Sequence, residues 1–499
     1  MKHLFPIGLA VGLLMSTAAS AQTLRIGLQE DPDVLDPHRA RTFVGRIVFT
    51  SLCNKLVDIT PDLRFTPELA TEWSWNEDGK ALTFKLRPGV KFHDGEPLDA
   101  AAVKANLDRA RTLPDSLRKS ELSSVESVDV VDDMTVKINL SRPDATLLSQ
   151  LSDRAGMILS PKAIASADFG QKPICSGPYK FVERVHNDRI VLERFKEYWD
   201  AENYNFERVI FQPIPDTTVR LANLRSGNLD LMERLAPNDI AAVKEDTNIT
   251  FAPISGLGFF RLTINTQNGE RAKSPIGQDK RVRQALELSI DRDVINQVVG
   301  QGIFPPAGQP FPPASPYNNQ KFAAKNRDVE KAKQLLKEAG FDRIKFELGF
   351  GTNTTTQQIA EIIQAMASEA GFDISLRPTE FAALQKEAQA GTFDVNLAGW
   401  SGRVDPDGNV HSFVTCKGAL NDGRYCNAEV DKLLNEARTA NDEAKRKQLY
   451  DSAQEILQDA LPVIYLYYQP WPFAHTKKLQ GFKPYPDGMI RLKGVEFAS

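Results

Sequence analysis

Cysteine, histidine and tryptophan are scarce in this 499-residue chain, with four, six and five copies, and each scarcity narrows what the protein does. The histidines are scattered without metal-ligand spacing, which argues against a tightly held zinc site. No C-x-x-C spacing joins the cysteines, so neither a thioredoxin-like redox motif nor a zinc ribbon is present. HExxH, GxSxG and Walker patterns are absent as well, which leaves catalysis without its usual signatures. An exported hydrolase assembled from residues distant in the chain stays open as an alternative of a different class, because triads form in space rather than in sequence. Basic residues neither dominate nor cluster, and the net charge of −4 spreads over both signs, giving no nucleic-acid footprint. Past the first 21 residues no stretch is apolar enough to span a bilayer.

What is present begins with an export signal. Lys2 precedes an apolar run from Leu4 to Met15, and Ala19, Ser20 and Ala21 make the small-residue pattern that signal peptidase accepts. Cleavage is expected after Ala21, and with no cysteine following, no lipid anchor is implied. The mature chain, from residue 22, is expected to be soluble and periplasmic. Hydrophobic residues at 41% and charged residues at 25% are ordinary for a globular protein, and the length implies two or three domains. Export permits disulfides. Cys416 with Cys426 would close a short polar loop, and Cys53 with Cys175 is the remaining pairing, with buried free thiols as the other reading.

Along the chain, Leu24–Leu28 alternates as a strand, and Val44–Leu56 reads as a helix. Leu82–Leu86 is a strand stopped by Pro88 and Gly89, followed by a helix over Leu98–Ala110 that opens after Asp99. Val125–Val131 and Thr135–Leu140 flank Asp132 and Asp133 as a hairpin. From about Gly256 the pattern becomes regular. Lys345–Phe350, Phe372–Leu376 and Phe393–Leu397 read as strands, separated by helices ending at Gly371 and Gly391. The first of these helices carries Ile359, Ile362, Ile363, Met366 and Ala370 on one face. Such βαβαβ order implies an α/β lobe with parallel strands, whose ligands sit beyond the carboxyl ends of the strands. Topology therefore directs the segment starting at Trp400 toward a cleft.

Five segments carry a resemblance: PELATEW (Pro67–Trp73), LTFKLRPGVKFHDGEPL (Leu82–Leu98), SGPYKF (Ser176–Phe181), RVRQALELSIDR (Arg281–Arg292) and KAKQLLKEAGF (Lys331–Phe341). In this order and spacing the chain resembles the family 5 extracytoplasmic solute-binding proteins of ATP-binding-cassette importers, the group with dipeptide, oligopeptide and nickel binders. The resemblance implies a two-lobed periplasmic-binding-protein fold with a hinge of two crossing segments. The first lobe would span 22–255 and include an inserted subdomain over about 70–190. The second would span 256–468, and residues 469–499 would return to the first. It further implies a monomer without cofactor or chemistry of its own, which closes on a peptide-like or carboxylated small solute and delivers it to separate permease and ATPase subunits. A carrier of a nickel or haem chelate is the alternative within binding.

Candidate ligand contacts follow from the same frame. In the first lobe they are Asp36, His38 and Arg41, in the loop after the opening strand that also holds Asp33; turn-forming or surface charges are the competing reading. In the second lobe they lie in GWSGRVDPDGN (Gly399–Asn409): Gly399, Trp400, Ser401, Arg403 and Asp405. The resemblance implies that dipeptide-binding relatives place an aspartate for the ligand's amino group where this chain has Arg403, and an arginine for its carboxylate in the loop that here reads GTNTTT (Gly351–Thr356). The charge is reversed, and a guanidinium suits a carboxylate or phosphate. Arg403 is thus either an anion contact or a brace paired with Asp405 or Asp407. Trp400 either stacks on ligand or fills the interior, and DPDGN reads as a polar turn rather than a calcium loop.

Overall fold

The computed structural model describes residues 22–166, 168–313, 315–440 and 442–498; the expected signal segment lies outside the described residues. Two long strands, Ile249–Ile264 and Val463–Thr476, run antiparallel through the middle of a ten-stranded sheet and belong to both lobes. Ile249–Ser255 pairs with Pro470–Thr476, while Phe259–Thr263 pairs with Val463–Tyr468. Between these stretches the register shifts. Pro253 faces Pro472 in the ladder, and prolines remove strand donors there. The ladder is interrupted between Ser255 and Phe259, where the strands pass from one lobe to the other, as a hinge requires.

On the first-lobe side, Thr23–Leu28 lies parallel to Arg208–Pro213, followed by Arg189–Arg194 and Tyr179–Val185. Their core gathers Leu24, Ile26, Phe211 and Trp471 with Leu479, Ile490 and Leu492 of the C-terminal tail. On the second-lobe side, Val395–Trp400 pairs antiparallel with Ile249–Ile264 and parallel with Ile344–Gly351, which in turn is parallel to Phe372–Thr379. The intervening helix Thr354–Glu369 buries Ile359, Ile363 and Met366, with Asn353 capping it through Thr356. Gly371, at φ +103°, lies just beyond its end, and Gly391, at φ +73°, caps the next helix, conformations that cost a side chain far more than glycine.

A separate four-stranded antiparallel sheet of Ala70–Trp75, Ala81–Leu86, Thr135–Leu140 and Val125–Asp132 forms the inserted unit. Helix Ala100–Thr112, capped by Asp99, packs on it, and its core runs from Leu56 to Ile158. The insertion ends earlier than the expected residue 190, because Tyr179–Val185 hydrogen-bonds into the large sheet. The first-lobe helix is also shorter than predicted, spanning Phe43–Leu52. Cys53 turns extended and bonds to Cys175, and Cys416 bonds to Cys426. Among the described residues no helix is long and apolar enough to cross a membrane.

Candidate ligand-binding site

The two lobes meet around a cavity of about 560 Å³, a size suited to a small organic molecule. A second cavity of about 550 Å³ adjoins it and shares Gln29, Arg234, Phe260, Asn353 and Gln469 in its lining. The parallel strands deliver their carboxyl ends here: Gly351–Asn353 ends and follows one strand, and Gly399–Ser401 ends and follows another. Close approach requires glycine at two positions. A Cβ on Gly258 would fall 1.8 Å from the Trp400 carbonyl oxygen, and Gly402, at φ +82°, abuts Leu257.

Direct bonds hold the lobes shut. Arg46 of the first-lobe helix bonds to Asp153 through Nε (3.0 Å) and reaches Ser401 Oγ at 3.1 Å. Arg403 Nε lies 3.1 Å from the same Asp153, across the cleft. The Asp405 amide donates to Ser149 Oγ at 3.3 Å, the Ala145 amide to the Arg438 carbonyl at 2.9 Å, and Arg41 stands 3.8 Å from Asp422.

The charge of this wall is lopsided. Among the described residues, Arg46, Arg118, Arg154 and Arg403 find their counter-charges in Asp153 and Glu121. Burial raises the Asp153 carboxyl, but Arg46, Arg403 and Arg154 outweigh it and hold the group well below the usual range. Burial, with neighbouring Arg46, pushes Arg403 down to about 10, and burial with Arg118 lowers Arg154 well below the arginine range. Four guanidiniums sharing two carboxylates leave positive potential at the cavity surface, strengthened by the low local dielectric.

Of the residues singled out from sequence, Arg41, Gly399, Trp400, Ser401 and Arg403 line the cavity. Three others do not. Asp36 is fully buried and takes both Arg109 Nη atoms at 3.2 and 2.7 Å, and His38 Nδ1 sits 2.8 Å from the same guanidinium. Burial pushes His38 down to about 3, so it stays neutral inside the first lobe. Asp405 is gripped by Arg446 at 2.7 and 2.8 Å, and Asp407 by Arg438 at 2.8 Å through both oxygens. Both carboxylates once open as partners of Arg403 are therefore occupied, and Arg403 turns to Asp153 instead. The expected polar turn is a helix, Asp407–Val414, tied back by Asn409 Oδ1, which accepts from Trp400 Nε1 and from the Arg403 amide. The Arg403 guanidinium lies 4.3 Å from the Trp400 ring centre, covering part of the indole.

Sequence reasoning passed over Glu30, Arg46, Arg118, Arg154, Arg234 and Arg261, all of which line the cavity. Arg261 alone carries a usable signal: it interrupts an otherwise apolar strand, LGFFRLTI. Burial raises the Glu30 carboxyl to about 7, against the opposing charge of Arg234.

Comparison with known proteins fits this geometry. The family model described as bacterial extracellular solute-binding proteins, family 5 Middle, matches residues 64–421. The chain is 28% identical to the glutathione-binding protein GsiB of Pectobacterium atrosepticum over 99% of its own length and 98% of that protein's. Among solved structures, it is similar to DppA of Helicobacter pylori in complex with the peptide STSA, with 25% identity, a TM-score of 0.87, and coverage of 96% and 98% of the two chains. It is also similar to AgaA from A. tumefaciens R10 in complex with agropinic acid, with 26% identity, a TM-score of 0.86, and coverage of 96% and 99%. The model match spans more than half of the chain and the likeness runs its full length: this protein belongs to the family 5 bacterial extracellular solute-binding proteins.

Proposed function

We propose that the protein is the periplasmic receptor of an ATP-binding-cassette importer, capturing a peptide-like or carboxylated organic solute and releasing it unaltered to the permease. The observation that carries this reading is a cavity shut between two lobes whose arginines outnumber its carboxylates. A solute shifts the balance between open and closed forms only by contacting both lobes. Here Arg46 and Arg154 come from one lobe and Trp400 and Arg403 from the other. Arg41, Ser401, Trp400 and Arg403 are the contacts assigned to cargo among the residues singled out from sequence, with Gly399 permitting close backbone approach. Relatives whose names or titles specify glutathione, a peptide and agropinic acid support a cargo of this chemistry.

Mass spectrometry of what copurifies with the native protein, followed by calorimetric titration of the stripped protein, tests the proposal. A carboxylated amino-acid or peptide derivative recovered intact is the expected result. Recovery of hydrolysed products that accumulate with time, or of cationic solutes alone, would overturn it.

A further inference from the structure

The second-lobe half of the hinge strand carries a charge that its surroundings do not neutralise. In Phe259–Ile264 alternate residues turn opposite ways: Leu262 and Ile264 enter the main second-lobe core, while Phe259, Arg261 and Thr263 take the other face. Arg261 is only 6% exposed. Its Nε donates to Thr263 Oγ1 at 3.2 Å, and its guanidinium lies 4.3 Å from the Phe413 ring centre. Its Nη1 is buried and finds no hydrogen-bond acceptor among the described residues, and no carboxylate comes within ion-pair distance. Asp422, whose charge acts on it, lies instead 3.8 Å from Arg41.

Across the strand pair, Thr263 stands in register with Asn396. Asn396 is 4% exposed, lines the same cavity, and its Oδ1 also lacks a partner among the described residues. Gln385 from helix Phe381–Ala390 and Ser412 from helix Asp407–Val414 line the same cavity. A buried cation without a counter-charge and a buried amide without a partner each cost stability. Both face the cavity, and both sit on sheet strands rather than mobile loops, so their positions are fixed before cargo arrives.

We infer that Arg261, with Thr263, is the seat of a carboxylate on one arm of the cargo, with Asn396 Oδ1 accepting from a neighbouring N–H of that arm, so that the cargo is a dicarboxylate. Its second anionic group faces the wall of Arg46, Arg118, Arg154 and Arg403. The planar fork of a guanidinium whose face already rests on Phe413 leaves its edge for a carboxylate. The inference rests on the receptor reading and sharpens it. Two anions in the cavity, one held mainly by the first lobe and one by the second, couple binding to closure. A monocarboxylate leaves one seat unneutralised.

The test is calorimetric titration of the stripped mature protein with matched pairs: glutathione, Ala-Glu and N-succinylalanine, each beside the analogue in which one carboxylate is a carboxamide. Wild type is expected to bind at least one dicarboxylate about tenfold or more tightly than its monocarboxamide. Arg261→Gln is expected to lose that preference, and Arg261→Lys to retain part of it. Equal binding of both members of every pair by wild type overturns the inference and leaves the receptor reading standing, as does an Arg261→Gln variant that keeps the preference. Wild type that binds no probe in either form takes down both. The wild-type comparison decides the matter even where a variant fails to fold.

Discussion

Arg403 and Arg261 are both buried in the same cavity, and burial pushes both down to about 10, yet they live in opposite circumstances. Arg403 holds Asp153 across the cleft, donates to the Gly402 carbonyl at 2.8 Å and covers Trp400. Arg261 has one hydroxyl and an aromatic face. The first is satisfied by the protein and acts between lobes; the second is satisfied only in part and acts within one. A buried charge that the fold already pairs works as a fastener, whereas one the fold leaves open is a demand for something from outside.

Several substitutions sharpen or break this contrast. Asp153→Asn has the largest expected effect, because one carboxylate neutralises both Arg46 and Arg403 beside Arg154. Its removal leaves buried cations unpaired and is expected to destabilise the protein by about 3–5 kcal/mol in denaturant titration. Arg403→Ala comes next. Asp153 keeps Arg46, and the loss falls on closure and on the wall that every anionic cargo meets, so affinity is expected to drop by about 1–2 kcal/mol for monocarboxylates and dicarboxylates alike. Arg261→Gln instead selects against dicarboxylates. If Arg403→Ala also abolishes the preference for a dicarboxylate over its monocarboxamide, the two arginines do the same job and the contrast fails. Arg261→Met should then leave the empty protein as stable as wild type or more so, by up to about 1 kcal/mol, since a nearly isosteric apolar chain replaces an under-paired cation. A loss of several kcal/mol in that variant would mean Arg261 is structural.

Much of the fold could be read from the chain, and the reasons are local. Ile359, Ile363 and Met366 mark a helix face, and Gly371 and Gly391 follow helix ends, because spacing and left-handed conformation are properties of a few adjacent residues. Gly399, Trp400 and Ser401 reach the cavity because strand order alone sends that end of the sheet there. Charge partners are another matter. Asp36 turns inward to Arg109 and Arg403 reaches Asp153, each through pairings set by tertiary packing across long stretches of chain. The same limit hid Arg118 and Arg154, which reach the wall from the inserted unit. Only Arg261, stranded in an apolar run, announced itself locally.

The smallest effect tests a charge that resolves its predicament differently. Glu30 faces the cavity from the first lobe and has no ion-pair partner within 4.0 Å among the described residues. Burial raises its carboxyl from 4.5 to about 7, with Glu233, Glu380 and Asp33 adding to the rise and Arg234 opposing it. Arginine cannot shed its charge at neutral pH, but a carboxyl can, so Glu30 takes up a proton where Arg261 must wait for an anion. The folded protein then binds a proton that the unfolded chain has released. That contribution to stability is complete below about 4.5 and is lost as pH climbs through about 7. Glu30→Gln is expected to remove it, narrowing the fall in melting temperature of the empty protein between pH 5 and pH 8 by about 1 °C. A variant whose melting temperatures track wild type at both pH values would show Glu30 ionised throughout, and the cavity less positive than the arginines alone imply.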